Sequence, residues 1–439
     1  MTSAVAPRRP VTRAFAWLAF LGPFFFASYG FATWWTSRRE QVGAIVFDWE
    51  RYIPFVPWSI VPYWTIDVFY GISLFVCTTV RELDAHAKRL LTAQILAVAC
   101  FLAFPLRFTF ARPPADGVYD ALFDVLASFD QPFNQAPSLH IALLVILWAL
   151  YARHTRGVVR LIVHGWALVI GASVLTTWQH HFVDVPTGAL LGFVCLWLWP
   201  IDAESPLTRM RWTNDPRRRQ LARRYAAGAL ACLLVAIGVR GGALWLLWPA
   251  LSLALVAFIY AVLGVAGFQK RDGKLSPGAI ALLLPYLCGA SLNARWWTRG
   301  QPQAVRVADD VWLGRLPRRA ERGAAKFASI VDMTAELPLA ADGLQYANFP
   351  ALDLVAVDAA TLAAAARSIE ASRGGGPVLV CCALGFSRSA SAVAAWLVAT
   401  GRANGPDAAI AQLIAARPRV VLGAAHREQL ALASSALVR

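Results

Sequence analysis

The chain has 439 residues, 58% of them hydrophobic, 12% aromatic and only 15% charged. Average soluble domains carry about 25% charged residues, so composition excludes an ordinary soluble protein as the class of the whole chain. The formal net charge is +15, but the arginines cluster beside apolar runs, where membrane orientation accounts for them; nucleic-acid binding is not expected.

In chain order, apolar runs predict membrane spans at 14–35, 55–79, 88–107, 138–153, 159–177, 184–200, 225–239, 242–268 and 276–295, most of them near the ~20 residues a bilayer requires. The first, AFAWLAFLGPFFFASYGFATWW, follows Arg8, Arg9 and Arg13 and shows no small-residue cleavage site. It reads as a retained membrane helix, not a signal peptide. Of seven cysteines, Cys77, Cys100, Cys195, Cys232 and Cys288 lie in apolar runs. They read as buried small hydrophobes, without a disulfide framework or zinc spacing. Beyond about residue 300 the texture changes. AVRVADDVWLGRL (304–316) predicts two strands and a turn, and FASIVDMT (327–334) a buried strand. DAATLAAAARSIEASRGGG (358–376) predicts a helix, PVLVC (377–381) a strand and SRSASAVAAWLVATG (387–401) a helix. This alternation implies an α/β domain with a central sheet. The expected fold is a polytopic α-helical membrane domain (1–200), a basic loop with about three further spans (201–300), and an α/β domain (301–439).

Basic residues ahead of the first span place the amino terminus inside. Parity then puts the Arg-rich stretch RMRWTNDPRRRQLARR (209–224) inside and the loops at 108–137 and 178–183 outside, as the positive-inside rule requires. Nine spans would put residues 300–439 outside, and eight would put them inside; nine is the expectation.

Three polar spots fall at span ends on the same predicted side: RFTFARPP (107–114), APSLH (136–140) and TTWQHHFVDVPTG (176–188). Ionisable residues at or within a membrane are costly, which makes them functional candidates. His180 and Asp184 are four apart, one turn and one face if the segment is helical. The set suits phosphoryl transfer: one imidazole attacks phosphorus, a carboxylate fixes its tautomer, a second histidine protonates the leaving alkoxide, and Arg112 neutralises phosphate oxygens. His181 competes with His180 but lacks the H-x3-D spacing. His86, His154, His164 and His426 read as structural.

ARP, PSLH and HHFVD resemble the three signatures of the PAP2 family, the type 2 phosphatidic acid phosphatases, over about residues 50–200. That resemblance implies His180 as nucleophile, Asp184 as its partner, His140 as general acid and Arg112 as a phosphate ligand. Two of the family's cations are missing: Pro105 stands where a Lys is usual, and Val174 replaces the Arg that follows Ser173. The branch similar to sphingomyelin and inositol-phosphorylceramide synthases also lacks them and transfers head groups between lipids, so transfer to an alcohol stays open.

In VLVCCALGFSRSASAVAAWLV (378–398), Cys382 and Arg388 form a C-x5-R spacing between an apolar strand and a helix. Backbone N–H groups of such a loop and the helix amino terminus cradle an anion and favour a thiolate. Arg388 can grip two phosphate oxygens. Gly385 and Ser387 sit in the loop, and Ser389 can donate to the sulfur. A proton donor is also needed; Asp353, in YANFPALDLVAVD (346–358), is favoured over Asp358. These residues, with VWLGRLP and IVDMTAELP, resemble the dual-specificity branch of the Cys-dependent tyrosine phosphatases over about 303–430. Cys381 replaces that family's usual His, which implies a less activated thiol or one open to a vicinal disulfide. The loop holds no Lys or Arg besides Arg388, so nothing points to a polyphosphorylated inositol ring.

The order of the two halves resembles bacterial bifunctional fusions of a PAP2-like membrane domain with a dual-specificity phosphatase domain, which implies a multi-pass protein of the bacterial inner membrane. The expected activity is phosphomonoester hydrolysis, with a phospholipid or a phosphoprotein as substrate. Competing expectations are a membrane-anchored protein phosphatase in signalling and a lipid head-group phosphotransferase. A transporter is disfavoured because the ionisable residues lie at span ends. No acidic cluster has divalent-ion spacing, so neither centre is expected to need a metal or other cofactor.

Overall fold

A computed structural model describes residues 9–128, 130–318, 321, 327–339 and 343–437. The chain divides into two compact units, Met1–Thr208 and Arg209–Arg439. The further spans therefore group with the α/β domain. Among the described residues, seven helices are long and apolar enough to cross a membrane, which supports a membrane protein.

The first unit is helical: α1 (Val11–Ser37), α2 (Ile60–Val76), α3 (Val80–Ala103), α4 (Val118–Ala127), α5 (Leu139–His154), α6 (Gly157–Thr176) and α7 (Asp184–Leu198). α6 turns Val158, Val159, Leu161, Ile162 and Leu168 outward. Against water this would be an unusually large apolar patch; against lipid it is a normal face. α5 and α7 have only 16 and 15 residues and are packed inward against their neighbours. Their contact is close because α7 has Gly188 where it crosses α5: a Cβ there would lie 2.4 Å from the Ser138 carbonyl oxygen. That contact brings the start of α5, with Ser138 and His140, against the start of α7, with Asp184.

The second unit opens with α8 (Pro216–Val239), α9 (Leu247–Phe258) and a π turn, Ile259–Leu263. A small hairpin follows, β1 (Lys270–Arg271) and β2 (Lys274–Leu275), then α10 (Pro277–Trp297). Strands β3 (Ala304–Ala308), β4 (Val311–Arg315), β5 (Ser329–Thr334), β6 (Gln345–Ala351) and β7 (Val378–Cys382) form one sheet in the order β3-β4-β7-β5-β6. β3 is antiparallel to β4 and the other pairs are parallel. β6 lies at an edge, where Pro350 removes no ladder bond that a central strand would need. Helices α11 (Ala359–Arg373), α12 (Arg388–Ala399), α13 (Pro406–Ala416) and α14 (Ala424–Leu437) complete the unit. α12 is buried from Arg388 to Leu397, which its alanines allow by keeping its girth small. Alternation along β7 sends Cys382 into the core shared with α12 and Cys381 to the opposite face, beside Ile330, Leu339 and Leu379. The two are free thiols.

Candidate active sites

The first candidate site lies where α5 and α7 begin. Asp184 is fully buried, and its Oδ2 accepts from the His181 backbone N–H at 3.0 Å and from His180 Nδ1 at 3.1 Å. With the proton on Nδ1, His180 Nε2 keeps its lone pair. That atom lies 3.1 Å from the Ser138 hydroxyl, which also caps α5 by accepting from the Ile141 N–H at 3.3 Å. His140, in the first turn of α5, stacks on Tyr63 with ring centroids 4.1 Å apart. Its Nε2 is buried without a hydrogen-bond partner. His140 and His180 line one cavity of about 580 Å³, together with Tyr29, Tyr63, Asp67 and Asp130. One imidazole whose unprotonated nitrogen meets only the Ser138 hydroxyl, and a second with an unpartnered nitrogen, in one cavity, is the equipment for attack and proton donation at phosphorus.

His181 is held elsewhere. Its Nδ1 meets Glu50 Oε2 at 2.8 Å and its Nε2 accepts from the Thr109 N–H at 3.2 Å, with Phe108 stacked at 4.4 Å. Burial pushes the Glu50 carboxyl up, but the His181 bond and two backbone N–H groups outweigh it and hold it below its ordinary value. Every ring nitrogen of His181 is thus engaged in structure. His86, His154 and His164 bond Ser73, Glu82 and Trp148, as structural histidines do.

Arg112 departs from expectation. Its guanidinium lies over the Phe123 ring at 4.3 Å, and it is absent from the cavity lining. Among the described residues, that lining contains no Lys or Arg and two carboxylates. Asp67 was overlooked in the sequence, although a carboxylate in the middle of a predicted span is the signal that should have marked it. Ser138, Glu50 and Tyr63 carry no such signal.

The second candidate site is the turn from β7 into α12. Cys382 Sγ accepts from the Gly385 N–H and from the Ser389 hydroxyl, both at 3.2 Å. Gly385 has φ +76°, and a Cβ there would lie 2.5 Å from the Gly314 carbonyl carbon; only glycine passes. Ser387 sits at the helix N-cap position, its hydroxyl 2.9 Å from His426 Nε2. His426, expected only to be structural, thus braces the loop.

Arg388 is 2% exposed. Its two terminal nitrogens bond both Glu336 carboxylate oxygens at 2.8 and 2.7 Å; Nη1 also donates to the Ala351 carbonyl at 2.9 Å, and Nη2 lies 3.0 Å from Asp353 Oδ1. The carboxyl of Glu336, which burial alone would push up, is held below its ordinary value by Arg388. The carboxyl of Asp353 is raised by burial, with Arg388 pulling it down and Glu336 pushing it up. A carboxyl raised by burial beside the Cys382 loop is placed to donate a proton to a leaving oxygen. Asp358 does something else: it caps α11, accepting from the Thr361 N–H at 2.9 Å. Glu336, which orients the arginine, was not singled out in the sequence. Burial pushes the Cys381 thiol up, and the nearby Asp332 adds to this.

Residues 86–204 match the PAP2 superfamily. No curated protein matches the chain. Solved structures similar to part of the chain include human DUSP28 (28% identity, 31% of this chain and 97% of that chain, TM-score 0.28). Tk-PTP in the active form is also similar (26%, 31% and 98%, TM-score 0.29), as is PTPMT1 in complex with PI(5)P (19%, 31% and 97%, TM-score 0.29).

Proposed function

We propose that the chain is a membrane-embedded phosphatase with two independent centres, acting on phosphomonoesters of phospholipids. In the first centre His180 Nε2 attacks phosphorus as the bond to the lipid oxygen breaks. His140 gives that oxygen its proton, Asp184 holds the imidazolium that forms, and water then releases phosphate from His180. In the second, the Cys382 thiolate attacks, Asp353 protonates the leaving oxygen, and water attacks the cysteinyl phosphate. Arg388 and the loop N–H groups hold the phosphoryl oxygens. The observation that carries the reading is the pair of poised nucleophiles: a cavity-lining imidazole with Asp184 on one nitrogen and the Ser138 hydroxyl at the other, and a sulfur bonded by Gly385 and Ser389 next to a buried arginine. The test is phosphate and diacylglycerol release from a lipid panel by the wild type, His180→Ala, Cys382→Ser and the double variant. Each single variant should keep one activity and the double should keep none; full activity in the double variant would end the reading.

One observation favours a second reading of the histidine centre. Two carboxylates and no cation in its lining disfavour a phosphate dianion and suit a head group carrying positive charge, with Tyr29, Tyr63, Trp64 and Tyr70 as aromatic walls. The centre would then cleave or transfer a phosphodiester head group. Diacylglycerol release from phosphatidylcholine exceeding that from phosphatidic acid, in a Cys382→Ser background, would select this reading; the reverse order would reject it.

A further inference from the structure

The cysteine centre and helices α8–α10 belong to one compact unit, and the two loops that flank Arg388 are tied to the helix ends. Tyr260, in the π turn after α9, donates its hydroxyl to the Asp353 carbonyl at 3.0 Å. Arg217, in the first turn of α8, donates from Nε to the Leu354 carbonyl at 3.3 Å. Leu354 has φ +59°, a backbone state that a leucine keeps only when its surroundings impose it. The carbonyls on either side of that strained link are the two held from the membrane helices. The Glu336 loop is tied on its other flank. Lys270 of β1 reaches Asp332 Oδ2 and Thr334 Oγ1, both at 2.6 Å, and the Gly273 carbonyl accepts from the Leu339 N–H at 2.8 Å. Behind these contacts the rings of Tyr225 and Tyr260 lie 5.4 Å apart and those of Tyr225 and Tyr286 5.8 Å. All three phenols are within electrostatic reach of Glu336 and Asp353.

These anchors share one end of the α8–α9 pair: Arg217 opens α8, and Tyr260 and Lys270 follow α9. That end carries the Arg-rich stretch 209–224 and a groove of about 400 Å³ lined by Trp212, Arg219, Arg223 and Ala261. Tryptophan and arginine together are the side chains of a membrane surface. α10 does not take the chain away from this end. Gly273 ahead of it bonds Leu339, and the Trp297 carbonyl at its close accepts from Arg419 at 2.9 Å, so both ends of this helix, about 31 Å long at 1.5 Å per residue, meet the α/β domain. That contact argues against a ninth full crossing that would carry the domain to the outer side.

We propose that the membrane helices complete the cysteine centre, with Tyr260 and Arg217 positioning its acid loop, and that this centre dephosphorylates a lipid phosphomonoester drawn from the leaflet on the Arg-rich, cytoplasmic side. The proposal rests on reading Cys382 as the nucleophile. A sulfur–phosphorus bond forms as the bond from phosphorus to the lipid oxygen breaks, and that oxygen takes the Asp353 proton. Water then attacks phosphorus, returns a proton to Asp353 and frees the thiolate and phosphate. Tyr260 touches no reacting atom; it acts by fixing where Asp353 stands.

The test uses the full chain in liposomes in a His180→Ala background, so that only the cysteine centre reports. Tyr260→Phe removes one hydroxyl and keeps the ring. It should lower turnover of phosphatidic acid, whose alkoxide must be protonated, at least tenfold, and lower that of 4-nitrophenyl phosphate, whose leaving group needs little help, less than threefold. Arg217→Gln should show the same split more weakly. Equal losses on both substrates would mean a merely structural role and overturn the positioning claim. For the leaflet, Arg427→Cys should react with a membrane-impermeant maleimide in inverted vesicles beyond the background of the parent chain, and not in intact cells; the opposite pattern would overturn the assignment. Undiminished aryl phosphate hydrolysis by Cys382→Ser in the same background would remove the reading beneath the proposal instead.

Discussion

Glu336→Gln isolates what the buried carboxylate does for the arginine beside Cys382. Arg388 and Glu336 are each 2% exposed and share two bonds of 2.8 and 2.7 Å. Charge-assisted bonds of this kind contribute about 1.5–3 kcal/mol each. Glutamine keeps one acceptor oxygen and loses the charge, while the Asp353 carboxyl remains at 3.0 Å. The expected loss is therefore about 2–3 kcal/mol, less than the ~3–5 kcal/mol of a buried pair broken outright. The catalytic effect has a definite sign. Burial raises Asp353, Arg388 lowers it and Glu336 raises it; without the Glu336 charge its pKa falls. Asp353 must be protonated to act, so activity disappears as pH rises through that value, and the basic limb of the pH–rate profile moves to lower pH in Glu336→Gln. The assay is kcat/KM against pH for an alkyl phosphate, with His180→Ala as the parent, beside thermal unfolding of the same samples. A basic limb that stays in place in a folded variant would refute the coupling of these two carboxyls.

His181→Ala and His180→Ala should separate cleanly. The first breaks a buried contact with Glu50 and should cost about 3–5 kcal/mol of stability while the folded fraction keeps histidine-centre turnover; the second should remove that turnover and leave the melting temperature nearly unchanged. Gly385→Ala, at φ +76° and against Gly314, should cost the cysteine centre roughly a hundredfold in turnover by displacing its loop, read as phosphate release in a His180→Ala background. Lys270→Met strands the buried Asp332 carboxylate, its partner at 2.6 Å, and should lower stability by about 3–5 kcal/mol in denaturant titration; adding Asp332→Asn should restore part of the loss.

Much of the fold was legible because the bilayer leaves few choices. Each of the nine apolar runs is largely helical, the form that satisfies backbone groups within the segment itself. In the α/β part, the strand ending at Cys382 and the alanine-rich helices were legible from local pattern. β6 was not: Pro350 interrupts its pattern, and only its place at the sheet edge lets the strand tolerate it. The hairpin at 270–275 is two residues per strand, too short for any periodicity, and it exists because Lys270 and Gly273 have partners sixty residues away.

The same contrast divides the candidate sites. His180 and Asp184 declared themselves through a four-residue spacing, and Cys382 and Arg388 through a loop of fixed length, because a short run of backbone sets those distances, although His180 lies in the bend before α7 and not on its helical face. Ser138 meets His180 across 42 residues, Glu50 meets His181 across 131, and Glu336 meets Arg388 across 52. No local rule connects such pairs; tertiary packing does, and at Gly188 that packing can be traced to one missing side chain. The residues that supply reactive atoms were therefore readable in sequence, while those that orient them were not. Arg112 shows the converse. Its motif was legible, yet its guanidinium covers Phe123, since a motif fixes a residue's place in the chain and leaves open which neighbour its long side chain meets.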